Sequence, residues 1–168
     1  RVLDSRPPPE QVGAYGTPWG AGTDRDVQVA GVGGVPADAE AVVANVTVTG
    51  TTAESFLAVY PDGASRPTGS SLNWRAGTTI PNAVTVKVGT GGKVRVFNNA
   101  GSANVIIDVV GWFATGTGDG FHPVTPVRFQ DSRPAPEQVG AHGSPWGPTT
   151  TRTVAVGTAG AVPPEAKA

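Results

Sequence analysis

A chain of 168 residues can bury one substantial core, and a net charge of −1 with only 15% charged residues excludes the basic footprint of a nucleic-acid binder. Glycine (24) and proline (16) are abundant, yet 38% of residues are apolar, too many for a disordered tail. The absence of cysteine rules out zinc–thiolate sites and thiol catalysis, and no stretch approaches the ~18–20 consecutive apolar residues of a membrane span, so no membrane insertion is expected.

The chain opens on RVLDSRPPPEQVGAYGTPWG (1–20). In GTPWG, Pro18, Trp19 and Gly20 occupy the second, third and fourth positions of a type I turn, which would hold the indole at a loop tip. Trp19 beside Tyr15 is therefore a candidate platform for stacking on a sugar ring. The competing reading folds the indole back to seal the open end of the fold, its N–H meeting a carbonyl. PADAEA (36–41) allows one helical turn. In AVVANVTVTG (41–50), Val42, Ala44, Val46 and Val48 share one face and Asn45, Thr47 and Thr49 the other, the period of a half-buried strand. Asn45 begins an N-x-T match, and its place inside a strand argues against glycosylation.

SFLAVYPDGAS (55–65), SSLNW (70–74), IPNAVTVKV (80–88), KVRVFNN (93–99) and ANVIIDVVGWF (103–113) continue the strand pattern, parted by P-D-G, R-A-G and T-G-G turns. GTGGK (89–93) predicts a tight hairpin joining 84–88 to 94–97. Trp74 and Trp112 fall within strands and are expected to pack. The whole reads as an all-β fold, an antiparallel β-sandwich of jelly-roll or Ig-like kind. TGTGDG (115–120) then reads as a linker, so a complete module spans 1–114 and a partial second one 121–168.

That second module opens as the first does. Residues 128–168 repeat 1–41 at a constant offset, 131 − 4 = 127, and agree at 24 of 41 positions without a gap. Trp146 answers to Trp19, His142 to Tyr15, and Asp131-Ser132-Arg133 to Asp4-Ser5-Arg6. With no initiator Met and no basic-then-apolar leader, the chain is expected to be a fragment of a longer protein, holding one full repeat and the start of another.

Chemistry is sparse. His122 and His142 have nothing at hydrolase spacing around them, and the glycine runs GVGG and GTGGK lack phosphate-loop spacing. Asp108 and Asp119 do not form the oxygen cluster of a calcium site, although distant loops could complete one. The repeated Asp-Ser-Arg triplets suit a local task, Asp capping a turn and Arg tying the entry segment down. No catalytic residue, metal ligand or cofactor is expected.

RVLDSRP, VAGVGGVPADAEAVVANVTVTGTTAESFLAVYP and RPTGSSLNWRAGTTIPNAVTVKVGTGGKVRVFNNAGSANVIIDVVGWF together resemble a β-rich repeat domain of secreted and cell-surface actinobacterial proteins. That domain occurs singly or in tandem beside hydrolase domains, and similar modules occur in phage structural proteins. The resemblance implies a secreted, cell-surface or virion-appendage location and a non-catalytic accessory or adhesive role. Many relatives place cysteines after VYP and in the strand after the Gly-Gly turn. Asp62 and Arg95 stand at those positions, so the resemblance implies an ion pair in place of a disulfide.

Two functions are consistent with these features. One is a structural or assembly module of a surface fibre or stalk, associating with itself or with neighbouring repeat modules. The other is a carbohydrate-binding accessory module that holds cell-wall or extracellular polysaccharide on Tyr15, Trp19, His142 and Trp146. The repeat sharpens the first reading, because one valine-rich core has room for only one of its two opening segments. The surplus copy either packs outside its own module or completes a neighbour's sheet by strand addition, head to tail.

Overall fold

The computed structural model of the chain describes residues 1–116 and 128–156 and divides into two compact units, Arg1–Gly118 and Asp119–Ala168. In the first unit eight strands follow in order: β1 (Leu3–Asp4), β2 (Asp24–Gln28), β3 (Ala41–Thr49), β4 (Ser55–Pro61), β5 (Leu72–Trp74), β6 (Ile80–Lys87), β7 (Lys93–Asn98) and β8 (Asn104–Phe113). They form two four-stranded antiparallel sheets, ordered β1-β8-β3-β6 and β2-β7-β4-β5. The pairs β4–β5, β3–β6, β2–β7 and β1–β8 are those of one long hairpin rolled over on itself. This is the eight-stranded jelly-roll order, not the immunoglobulin one.

Val42, Ala44, Val46 and Val48 are buried and alternate with half-buried neighbours, as the period-2 pattern of β3 requires. They share one core with Val105 and Ile107 of their own sheet and with Leu57, Val59, Val94 and Val96 of the other. In β4 the apolar run is nearly continuous, and its second face is covered too. Ala58, Tyr60 and Phe97 are buried on the outer side of the sheet, where the Arg66 guanidinium lies 3.8 Å from the centre of the Phe97 ring.

Two sequence expectations fail here for identifiable reasons. β6 and β7 do not form a hairpin, because they belong to different sheets and Thr90–Gly92 makes a single 3-10 turn between them. The hydrogen bonds of this stretch go elsewhere: Val88 N donates to Glu40 O (2.7 Å) and Thr90 N to Asp62 O (3.0 Å). Gly89 lies so close to the end of β4 that a Cβ there would overlap the backbone of Asp62. Trp112, expected to pack, is 41% exposed. A bulge opposite Val43/Ala44 leaves Val110 unpaired and 73% exposed, and Trp112 follows it one pair from the end of the ladder.

At 36–41 the structure has a β-turn, not a helical one, closed by Ala39 N donating to Pro36 O (3.2 Å), while its copy at 163–168 lies outside the described residues.

Candidate functional site

Residues 1–29 form a clasp that closes one end of the sandwich. Asp4 and Val12 form an isolated bridge, Asp4 N donating to Val12 O (2.9 Å) and Val12 N to Asp4 O (3.1 Å). The loop between them closes through Gly13, at φ 78°, where a Cβ would meet Val2 O at 2.8 Å. The buried Asp4 carboxylate accepts bonds from Arg6 Nη2 (2.6 Å), Arg1 Nη1 (2.8 Å), Arg6 Nε (3.0 Å) and Arg6 N (3.2 Å). Bonding to Arg6 holds this carboxyl below its ordinary range against the opposing effect of burial. Ser5 ties the clasp to β8, its N donating to Val105 O (3.0 Å) and its Oγ accepting from Val105 N (2.8 Å).

Trp19 is the clasp's deepest anchor, at 0% exposure. Its backbone exchanges bonds with Ala103 (2.8 and 3.1 Å) at the head of β8, and its Nε1 donates to Val96 O (2.9 Å) in β7, so one residue joins both sheets. Tyr15 packs edge-on against it (5.4 Å between ring centres) and Arg25 lies 4.6 Å over its ring. These contacts overturn the expectation of a sugar platform at Trp19. The P-W-G stretch is not a loop tip, because its backbone pairs with Ala103 and turns the indole inward. Tyr15 is half-buried, with its hydroxyl donating to Asp26 (3.2 Å), and burial raises its pKa.

The second copy is wired like the first. Asp131 and Val139 exchange bonds (2.8 and 3.2 Å), and Asp131 accepts from Arg133 Nη2 (2.7 Å) and Arg128 Nη1 (2.9 Å), with Arg133 holding its carboxyl far below the ordinary range. Gly140 again has φ 78°. Arg152 lies 4.6 Å over Trp146, and His142 meets that indole edge-on at 5.6 Å. Arg152 Nη1 donates to Ser144 O (2.8 Å) as Arg25 Nη1 does to Thr17 O (3.0 Å). Even the left-handed turn residue is kept, although Gly22 (φ 68°) is replaced by the β-branched Thr149 (φ 58°).

What differs is the covering. Trp146 is 40% exposed, and Val156 is 46% exposed where its counterpart Val29 is at 0%. Among the described residues of this unit the Asp131–Val139 bridge is the only β-pairing. Of the expected glycan residues, the structure therefore groups Tyr15 with the buried Trp19 and His142 with the half-exposed Trp146. His122 and Asp119 lie outside the described residues.

Behind the first clasp, β2 is held to the sandwich by charge. Asp24 accepts from Tyr60 Oη and from Arg95 Nε (3.0 Å), and Asp26 accepts from Lys93 Nζ (2.7 Å). Arg95 also reaches Asp62, Nη1 to Oδ1, at 3.2 Å. The longer bond and the competing carboxylate, Asp24, make Asp62 the minor partner. Asp62→Ala is expected to cost ~0.5 kcal/mol in chemical denaturation, and Arg95→Ala, which frees both carboxylates, ~1–2 kcal/mol. An equal loss for the two would contradict that ranking. No sequence pattern marks Asp24, Asp26 or Lys93, whose pairing depends on the β2–β7 register.

The carboxyls of Asp4 and Asp26 lie below the 3.8 of an unperturbed Asp, held down chiefly by Arg6 and by Lys93. Each binds protons less readily folded than unfolded. Their contribution is therefore complete above 3.8 and is lost as pH falls through the depressed folded values. The melting temperature should be level from about pH 7 to 5 and drop below about pH 4; a value unchanged down to about pH 2 would overturn this.

Among the described residues no group of three or more His, Asp or Glu is placed to hold a metal ion. No family model, curated protein or solved structure matches the chain.

Proposed function

We propose that the chain is a non-catalytic structural module of a secreted or cell-surface fibre, stalk or virion appendage, in which β-repeat units join their neighbours by strand addition. The observation that carries this reading is the second clasp. It has the same internal bonds as the segment that completes the first sandwich, and its indole and valine lie open where their counterparts are buried. A segment that already holds the bound shape loses little conformational entropy on docking, which favours adding it to a sheet. The resemblance to tandem surface modules supports the same placement. Among the described residues no strand covers Trp146, which accounts for its exposure without a polysaccharide ligand.

Immunogold electron microscopy on cells or particles that make the protein, with antibodies raised against the sandwich, tests the proposal. Labelling along the envelope or its appendages is expected. Labelling confined to the cell interior would overturn it.

A further inference from the structure

The two clasps share a backbone but differ in the side chains that meet a sandwich. In the first, Asp24 takes Arg95 and Tyr60, and Asp26 takes Lys93 and the Tyr15 hydroxyl. Their counterparts, at 24 + 127 = 151 and 26 + 127 = 153, are Thr151 and Thr153. The tyrosine has changed with the acid it served. His142 replaces Tyr15, and its Nε2 lies 2.9 Å from the backbone oxygen of Thr153, so the same two positions stay linked without a carboxylate. At the place of the buried Leu3 stands Gln130, which brings its own partner by donating to His142 O (2.7 Å). Seated against β7, this second clasp would leave Lys93 without an acceptor and Arg95 with Asp62 alone.

Occupancy points the same way. The sandwich of this chain has one seat for a clasp, and residues 1–29 fill it, with Asp4, Ser5 and Trp19 all at 0% exposure. For a second copy of the chain to accept residues 128–156, it would have to release its own clasp. The contacts exchanged would be equal at best, and the translational and rotational freedom of one chain would be lost besides.

We infer that residues 128–156 are a docking element for a related β-sandwich, not for a second copy of this one. That sandwich, in the same polypeptide or in another, carries neutral side chains where this module has Lys93 and Arg95. Phe129, Trp146 and Val156 are exposed apolar groups it would cover, and Thr151 and Thr153 require no cation from it. The inference rests on the assembly reading above and adds the partner's chemistry.

The chain's own seat can serve as the assay. A protease site inserted between Gly33 and Gly34, in the exposed 31–34 loop, allows the full chain to be folded and then nicked, leaving residues 1–33 seated without a covalent tie. Synthetic peptides 1–33 and 128–160 then compete for that seat, on the native sandwich and on K93T/R95T. Peptide 1–33 should win on the native sandwich by roughly 10-fold, about 3-fold for each ion pair it alone can form. On K93T/R95T that preference should shrink by at least roughly 3-fold.

Equal competition on the native sandwich would overturn the neutral partner while leaving strand addition in place. Failure of 128–160 to bind either sandwich at millimolar concentration, where 1–33 binds both, would overturn the docking element itself. Should the nicked chain shed 1–33 irreversibly, unfolding it and refolding in an excess of both peptides gives the same ranking.

Discussion

Trp19→Ala will lower the unfolding free energy by about 3–5 kcal/mol, the range for truncating a core aromatic, whereas Trp146→Ala will change it by less than ~0.5 kcal/mol. The two indoles sit in the same P-W-G context, with Arg25 and its counterpart Arg152 each 4.6 Å above the ring, so local sequence cannot separate them. What separates them is whether a sheet lies beneath. Removing the Trp19 ring opens a cavity between β7 and the head of β8 and leaves Val96 O without its Nε1 donor. Removing the Trp146 ring takes away a group that is already 40% exposed. Urea denaturation of the two variants checks the contrast. A loss of less than about 1 kcal/mol for Trp19→Ala, or comparable losses for both, would mean that the clasp is not the lid of this core.

What could be read from the sequence was what period and repetition encode. β3 showed its buried face directly, because Val42, Ala44, Val46 and Val48 share one face while Asn45, Thr47 and Thr49 share the other, against a core on one side only. The 127-residue offset likewise exposed the clasp as a unit, and the structure gives both copies the same turns and ion pairs. The failures come from long-range pairing. GTGGK has the composition of a hairpin, yet the strands on either side find partners in different sheets, a choice made by Glu40 and Asp62 far away in the chain. Trp112 sits in a well-patterned strand, and only the bulge facing Val43/Ala44 reveals that it ends near the rim. The aromatic P-W-G turn misled for the same reason, since its character depends on Ala103, a bridge partner 84 residues away (103 − 19 = 84).

Asn98 is the second point at which the clasp and the sandwich depend on each other, and its replacement should be nearly as costly. It is fully buried, and its amide donates to Trp19 O (3.0 Å), Gly20 O (3.1 Å) and Gly101 O (3.2 Å), while its oxygen accepts from Ser55 Oγ (2.9 Å). Asn98→Ala leaves those carbonyls and that hydroxyl facing one another without water, a loss of about 3 kcal/mol. Asn98→Asp preserves the shape and inverts the chemistry, because a carboxylate would point at three carbonyl oxygens. Burial and those dipoles must raise the folded-state pKa of the new carboxyl above its unfolded value, so protonation stabilises the folded variant. Asn98→Asp should therefore be at least as damaged as Asn98→Ala at pH 7 and should regain stability as pH falls toward about 5, a range in which the native chain stays level because its own carboxyls are held low. Urea midpoints for the three proteins at the two pH values decide it. An Asp variant that is as stable as the native chain at pH 7, or that weakens further on acidification to about pH 5, would mean that water reaches Asn98 and that the clasp closes less tightly than its bonds require.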